Sequence, residues 1–161
     1  MKKINEARLD KHEYYLSIAK AVAARSTCLK RRYGAVIVKN DEIIATGYNG
    51  APRGEENCCD RGECLRLSKP SNSGDYSDCH SVHAEQNALI SASRQEMIDA
   101  ILYLWGEESY EEKLVGPDGK PQSAKERKWD EIKSPHPCPI CARMIKNAGI
   151  KAIVTRDKVW T

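Results

Sequence analysis

Three side chains suited to binding a transition metal, and one carboxylate beside them, carry the chemistry of this sequence. His83 stands two residues before Glu85 in the stretch 81–93, SVHAEQNALISAS, and Cys138 and Cys141 stand three apart in 137–141, PCPIC. A neutral imidazole and two thiolates fill three of the four positions of a tetrahedral zinc, and an open fourth position marks a catalytic site. Glu85 is then left over as a proton carrier. A lone C-x-x-C is often a structural zinc knuckle or a redox pair, and a lone H-x-E recurs by chance. The two together, in this order and with Pro137 directly before Cys138, are far more specific.

The ligands also dictate where helices must begin. Residues i and i+2 diverge on a regular helix, so His83 and Glu85 share a pocket only at a helix start. Cys138 and Cys141 belong in the first turn of another helix, where the dipole favours thiolates. Such a metal lowers the pKa of a water and supplies a nucleophile near neutral pH. Hydrolytic deamination of a base needs a ring nitrogen protonated, the amine-bearing carbon attacked and the leaving ammonia protonated. One carboxylate that takes a proton and returns it serves every step, and H-x-E…P-C-x-x-C is the pattern of zinc deaminases.

The elements that must position these groups follow from periodicity. Apolar Tyr15, Ile18, Ala19 and Val22 recur at helical spacing within 7–24. The runs 33–39, YGAVIVK, and 42–48, EIIATGY, are β-rich and joined by Asn40-Asp41, a tight hairpin. The segment 49–79, rich in Gly, Pro, Ser and Cys, is expected to be a long loop. A second helix starts near Ser81, and 100–105, AILYLW, is a third strand. Polar residues 107–136, with the turn signal GPDG at 116–119, are expected to form an insertion with a short helix around 123–132. A third helix over 138–148 closes at Gly149, and 151–155, KAIVT, is a last strand. The order α-β-β-α-β-α-β predicts an α/β fold, a central mixed sheet flanked by helices, whose final strands run parallel.

At 161 residues the chain is expected to be a single domain with a real core. Its net charge of +3 suits a phosphorylated small molecule and argues against a polynucleotide track. No apolar run reaches the ~18 residues of a membrane span, and MKKINEARLDKHEYY has no apolar core of a signal peptide. Seven cysteines without a secretion signal point to metal ligation in a reducing compartment, with the cytoplasm as the default.

The chain resembles the deoxycytidylate (dCMP) deaminase family of the cytidine deaminase superfamily. The resemblance rests on RSTC at 25–28, GAVIV at 34–38, GYNGAPRG at 47–54, HAEQNAL at 83–89, PCPIC at 137–141 and AGI at 148–150. It implies a three-layer cytidine-deaminase-like fold and zinc-dependent hydrolysis of dCMP to dUMP and ammonia. It also implies a homo-oligomer, often a hexamer, activated by dCTP and inhibited by dTTP in many members. By position, Asn49 would hold the sugar or base, the Ala84 backbone would meet the pyrimidine edge, and Arg25 would be a candidate for the phosphate. Some members carry a second, structural zinc. Cys28, Cys58, Cys64 and Cys79 fit that ligand pattern, with His80 a substitute for Cys79; the alternative is a set of buried, unreactive thiols.

Two features depart from the family. Residues 107–136 intervene where the third strand usually leads almost directly into PCxxC, and only Trp160 could replace a C-terminal aromatic that contacts nucleotide in relatives. The competing readings are a deaminase of another base or of tRNA, and a non-catalytic zinc module on the same scaffold. The Cys-rich loop would obstruct a polynucleotide groove, and a structural site needs no free carboxylate such as Glu85.

Overall fold

Side chains alternate between two buried faces along the central strands, and that alternation builds the architecture. The computed structural model describes residues 8–66, 77–110, 114–115, 118–119, 121–122 and 127–161. In chain order the elements are α1 (Lys11–Ala23), β1 (Arg31–Lys39), β2 (Glu42–Tyr48), α2 (Cys58–Arg61), α3 (Ala84–Ile90), α4 (Arg94–Met97) and β3 (Ile101–Tyr110). There follow β4 (Leu114–Val115), β5 (Pro121–Gln122), β6 (Lys128–Glu131), α5 (Pro139–Ala148), β7 (Ala152–Val154) and β8 (Val159–Trp160).

Successive residues of a strand point to opposite faces. Ala35 and Ile37 of β1 and Leu102 and Leu104 of β3 pack with Ala84, Ala88 and Leu89 of α3 and Ile145 and Ala148 of α5. Val36, Val38, Tyr103 and Trp105 turn the other way, against Tyr15, Leu16, Ala19 and Ala23 of α1. The outcome is three layers: α1, a mixed sheet, and α3 to α5. In the sheet the order is β2-β1-β3-β7-β8, with β6 also paired to β3. β1 is antiparallel to β2 and to β3, whereas β7, reached through α5, runs parallel to β3. Asn40 and Asp41 both take positive φ, 50° and 66°, the geometry of a two-residue hairpin whose twist matches its strands.

Several expectations change. Residues 81–83 are not yet helical, so the second long helix begins at Ala84. β3 runs on to Tyr110 and pairs there with β6, so Lys128–Glu131, expected within a short helix, is a strand; residues 123–126 lie outside the described part. Four residues are too few for periodicity to separate helix from strand, and β3 supplies the hydrogen-bonding partner that decides it. Short α2 and α4, the two-stranded β4–β5 sheet and β8 were not anticipated.

Two glycines let helices lie directly on the sheet. A Cβ on Gly34 would meet Ala19 O at 2.1 Å and Ala23 N at 2.5 Å in α1. A Cβ on Gly47 would meet Ala84 O at 2.3 Å and Ala88 N at 2.4 Å in α3. The second contact sets the depth of the helix that follows His83 and carries Glu85. Overpacking of this kind costs about 1–3 kcal/mol. Gly47→Ala is therefore expected to lower the melting temperature by roughly 2–12 °C, read by circular dichroism. An unchanged melting temperature would show that α3 can shift freely.

Candidate active site and metal centre

Two helix starts meet on the α3/α5 side of the sheet. His83 is the N-cap of α3, with extended backbone (φ −71°, ψ 154°), and Glu85 is the second helical residue. The pair therefore straddles the helix start, where i and i+2 side chains can share a pocket. Gln86 Oε1 accepts a hydrogen bond from the His83 backbone N–H at 2.9 Å and fixes the turn. Gly50 and Val82 exchange backbone hydrogen bonds of 3.2 and 2.8 Å, which hold the chain leading into it. Cys138 is the N-cap of α5, followed by Pro139 in the first turn. Its Sγ accepts from the Cys141 backbone N–H at 3.4 Å.

His83 Nδ1 lies 3.5 Å from Cys138 Sγ and 3.4 Å from Cys141 Sγ. A tetrahedral zinc ~2.3 Å from sulfur and ~2.1 Å from nitrogen separates such a pair by about 3.5 Å. All three donor atoms lie within 4.8 Å of one another, so the set fits zinc in both donor type and spacing. Cys141 and Glu85 are buried, and His83 and Cys138 are partly exposed.

The electrostatics suit these roles. Burial, and then the nearby Arg66 cation, push His83 below its ordinary value and keep the imidazole neutral, as a ligand must be. Burial raises the Cys141 thiol, with the Glu85 charge and Cys138 adding to the effect. A cation bound there would favour the thiolate. Burial pushes Glu85 up to about 7, against a lowering by a backbone N–H.

Glu85, His83, Ala84 and Cys138 line a cavity of about 120 Å³. Asn49 lines it too, but its amide is largely committed. Oδ1 accepts from Ser26 Oγ (2.7 Å) and Tyr33 N (2.8 Å), and Nδ2 donates to Arg31 O (2.9 Å). Arg25 is exposed and outside the lining. Lys30, Arg31, Tyr33 and Arg66 line the cavity and were not singled out from sequence as site residues; His136, directly before Pro137, lines it too. For Arg31 and Tyr33 a signal existed. They share parity with Ala35 and Ile37 on β1, and therefore the face toward α3 and α5. Burial raises the Tyr33 phenol, against the Arg31 cation that donates to its oxygen at 3.3 Å.

Cys28, Cys58, Cys64 and Cys79 line a second, smaller cavity of about 30 Å³ together with His80. Burial raises the Cys28 and Cys58 thiols, and the other cysteines of the group add to it. The four are neighbours, but not at ligand spacing. Among the described residues, His83, Cys138 and Cys141 are the group that meets the 4.8 Å spacing.

A family model described as the cytidine and deoxycytidylate deaminase zinc-binding region matches residues 9–156. The deoxycytidylate deaminase of Mycobacterium phage D29 is 44% identical over 108 residues, 65% of this chain and 84% of that protein. That of Schizosaccharomyces pombe is 45% identical over 101 residues, 62% of this chain but 31% of the yeast protein's length. A solved structure of dCMP deaminase from cyanophage S-TIM5, in complex with dCMP and dUMP, superimposes with a TM-score of 0.58 at 26% identity, covering 92% of this chain and 83% of that one. The match encloses both helix starts and every member of the His83, Glu85, Cys138 and Cys141 constellation, and the chain belongs to the cytidine and deoxycytidylate deaminase zinc-binding family.

Proposed function

We propose that the protein hydrolyses dCMP to dUMP and ammonia, preferring the 5′-monophosphate to the free nucleoside. The observation that carries this is a zinc-compatible His83, Cys138 and Cys141 set beside a buried carboxyl, Glu85, with His83, Cys138 and Glu85 lining one cavity. The dCMP deaminases among its relatives, one of them solved with dCMP and dUMP, point to that substrate.

His83 Nδ1 and the sulfurs of Cys138 and Cys141 would hold the zinc. When bound, it activates water for attack on the amine-bearing carbon of cytosine. Glu85 accepts the proton from the attacking water and passes it to ring nitrogen N3. It then carries the second water proton to the departing amine, which leaves as ammonia while the carbonyl forms. A buried carboxyl on the same cavity as His83 and Cys138 suits a group that must both take and return protons. Backbone N–H groups in the first turn of α3, Ala84's among them, lack intrahelical acceptors and suit the pyrimidine edge. Three of the four hydrogen-bonding positions of the Asn49 amide are taken, which leaves one N–H for the sugar. Lys30, Arg31 and Arg66 on the lining suit the phosphate; Arg25, outside the cavity, takes no part in this reading.

The reading extends to a second, structural zinc at Cys28, Cys58, Cys64 and Cys79, to a homo-oligomer, to dCTP and dTTP as effectors, and to the cytoplasm. The shared small cavity supports the zinc. Exposed Ile43 and Tyr48 on the outer strand β2, and Ile90 at the end of α3, support self-association. Seven cysteines without a disulfide support a reducing compartment. No helix among the described residues is long and apolar enough to cross a membrane.

Glu85→Gln keeps side-chain size and a hydrogen bond but cannot carry a proton. It is expected to lower kcat on dCMP by about 10²–10⁴-fold while retaining metal at the His83 site, read by ammonia release and elemental analysis. His83→Ala should lose metal and activity together. Loss of that metal in Glu85→Gln would make the carboxylate a ligand and overturn its role.

Zinc content provides a separate measurement. Protein purified without chelator is expected to hold two zinc ions per chain. Cys58→Ser should remove about one and lower the melting temperature, because closure of a metal site is coupled to folding. A ratio of one in folded, active protein would refute the second site.

A further inference from the structure

Residues 29–32 span the entry to β1, its first two residues included, and two of them, Lys30 and Arg31, present cations on the active cavity. Each of the four is held by the far end of β3 or by β6. Ser109 Oγ donates to the Leu29 carbonyl at 2.7 Å, and Ser109 N donates to the Lys30 carbonyl at 2.9 Å. Arg31 Nε donates to Glu108 Oε1 at 3.0 Å. The Arg32 guanidinium carbon lies 3.8 Å from the centroid of the Trp129 ring.

Strand parity explains why two different partners are needed. Arg31 is in register with Glu108 and Arg32 with Glu107, while β6 sets Trp129 opposite Ser109. Neighbouring residues face opposite sides of a sheet. Glu108 therefore holds the arginine that faces the cavity, and Trp129 holds the arginine that faces away. Lys30 Nζ in turn donates to the Arg66 carbonyl at 3.0 Å, so the segment bearing the third cation is tied to the same unit. Long cationic side chains lose rotamer freedom when they grip an anion, and prior fixation of the chain that bears them lowers that cost.

We propose that the end of β3 and β6 form a brace that sets the cationic rim of the cavity, with Glu108, Ser109 and Trp129 as positioning residues for the substrate phosphate. This gives Glu107–Tyr110 and Lys128–Glu131 a role in choosing a monophosphate over a nucleoside, and it rests on the dCMP reading above. The brace touches no reacting atom, so its effect falls on substrate affinity and not on the proton transfers at Glu85.

The test is steady-state kinetics of the zinc-loaded full chain on dCMP and on deoxycytidine, for Glu108→Gln, Trp129→Ala, the double variant and Trp129→Phe. Glu108→Gln and Trp129→Ala should each raise KM for dCMP about 2- to 5-fold, and together about 5- to 25-fold, with kcat within about twofold. Efficiency on deoxycytidine should not change, and Trp129→Phe, which keeps an aromatic face, should return KM for dCMP to within about twofold of the unaltered protein. The Glu108 side chain is 47% exposed, so Glu108→Gln keeps the test open if Trp129→Ala does not fold. Equal losses on both substrates, or no change in KM in any variant, would overturn the brace and leave the deaminase reading intact. Equal efficiency of the unaltered protein on dCMP and deoxycytidine would overturn the phosphate rim and its brace while leaving deamination in place. Absence of ammonia release from dCMP by the unaltered protein would overturn the reaction itself, and the brace with it.

Discussion

The approach of two helix N-termini to one another is the constraint on which the site depends. His83 caps α3 and Cys138 caps α5, and their donor atoms stand 3.5 Å apart although the residues are far apart in the chain. An N-cap residue keeps extended backbone, so its side chain leaves the helix axis and can reach across to another helix. The distance is set by packing below the site. Ala84 and Ala88 of α3, Ile145 and Ala148 of α5 and Leu102 and Leu104 of β3 belong to one buried cluster, and Gly47 lets α3 sit against the backbone of β2. Close-packed interiors transmit such distances faithfully. A few tenths of an ångström lost at Gly47 would reach His83 as a change in donor spacing and Glu85 as a change in its place on the cavity.

The legible parts of the sequence were those with a local cause. Ligand spacing in HAE and PCPIC, the Asn40-Asp41 turn and the Gly149 cap (φ 87°) each depend on neighbouring residues, and each lies where the sequence places it. The cation rim was not legible in the same way. Arg25 and Lys30 are five positions apart on one stretch, and nothing local says which faces the cavity. That is decided by the end of α1 at Ala23 and by the register of β1 against β3, which is a pairing between distant segments. β6 was missed for a related reason. Its four residues, KWDE, have no strong preference of their own, and the extended edge of β3 selects the strand.

Asn49 is a scaffold residue that also lines the cavity. A turn asparagine in GYNG would ordinarily hydrogen-bond its own loop. This one accepts from Ser26 and from the backbone of Tyr33 and donates to the carbonyl of Arg31, so it joins the end of α1, the start of β1 and the loop after β2. Ser26 and Asn49 are both buried, and each satisfies polar groups the other would leave exposed to an apolar interior. The brace at Glu108, Ser109 and Trp129 acts on 29–32 from one side and Asn49 from the other. The chain bearing Lys30 and Arg31, at the entry to β1, is thus held from both directions.

Glu85 runs against the stability of the fold that surrounds it. Its carboxyl is held at about 7 in the folded, metal-free chain against an ordinary 4.5, and burial is the cause. The sign follows from proton counting. Between the two values the folded state keeps a proton that the unfolded state has released, so stability is highest below the lower value and falls as pH rises through the upper one. Above that window the burial of charge costs about 3 kcal/mol, a sizeable fraction of the ~5–15 kcal/mol by which a domain is folded. A neutral side chain of the same size would avoid that cost, so packing alone gives no reason for a carboxylate here. The proposed general acid–base role supplies that reason, because such a group must both take and return a proton. The burial that weakens the metal-free fold is also what places this carboxyl on the cavity beside His83 and Cys138.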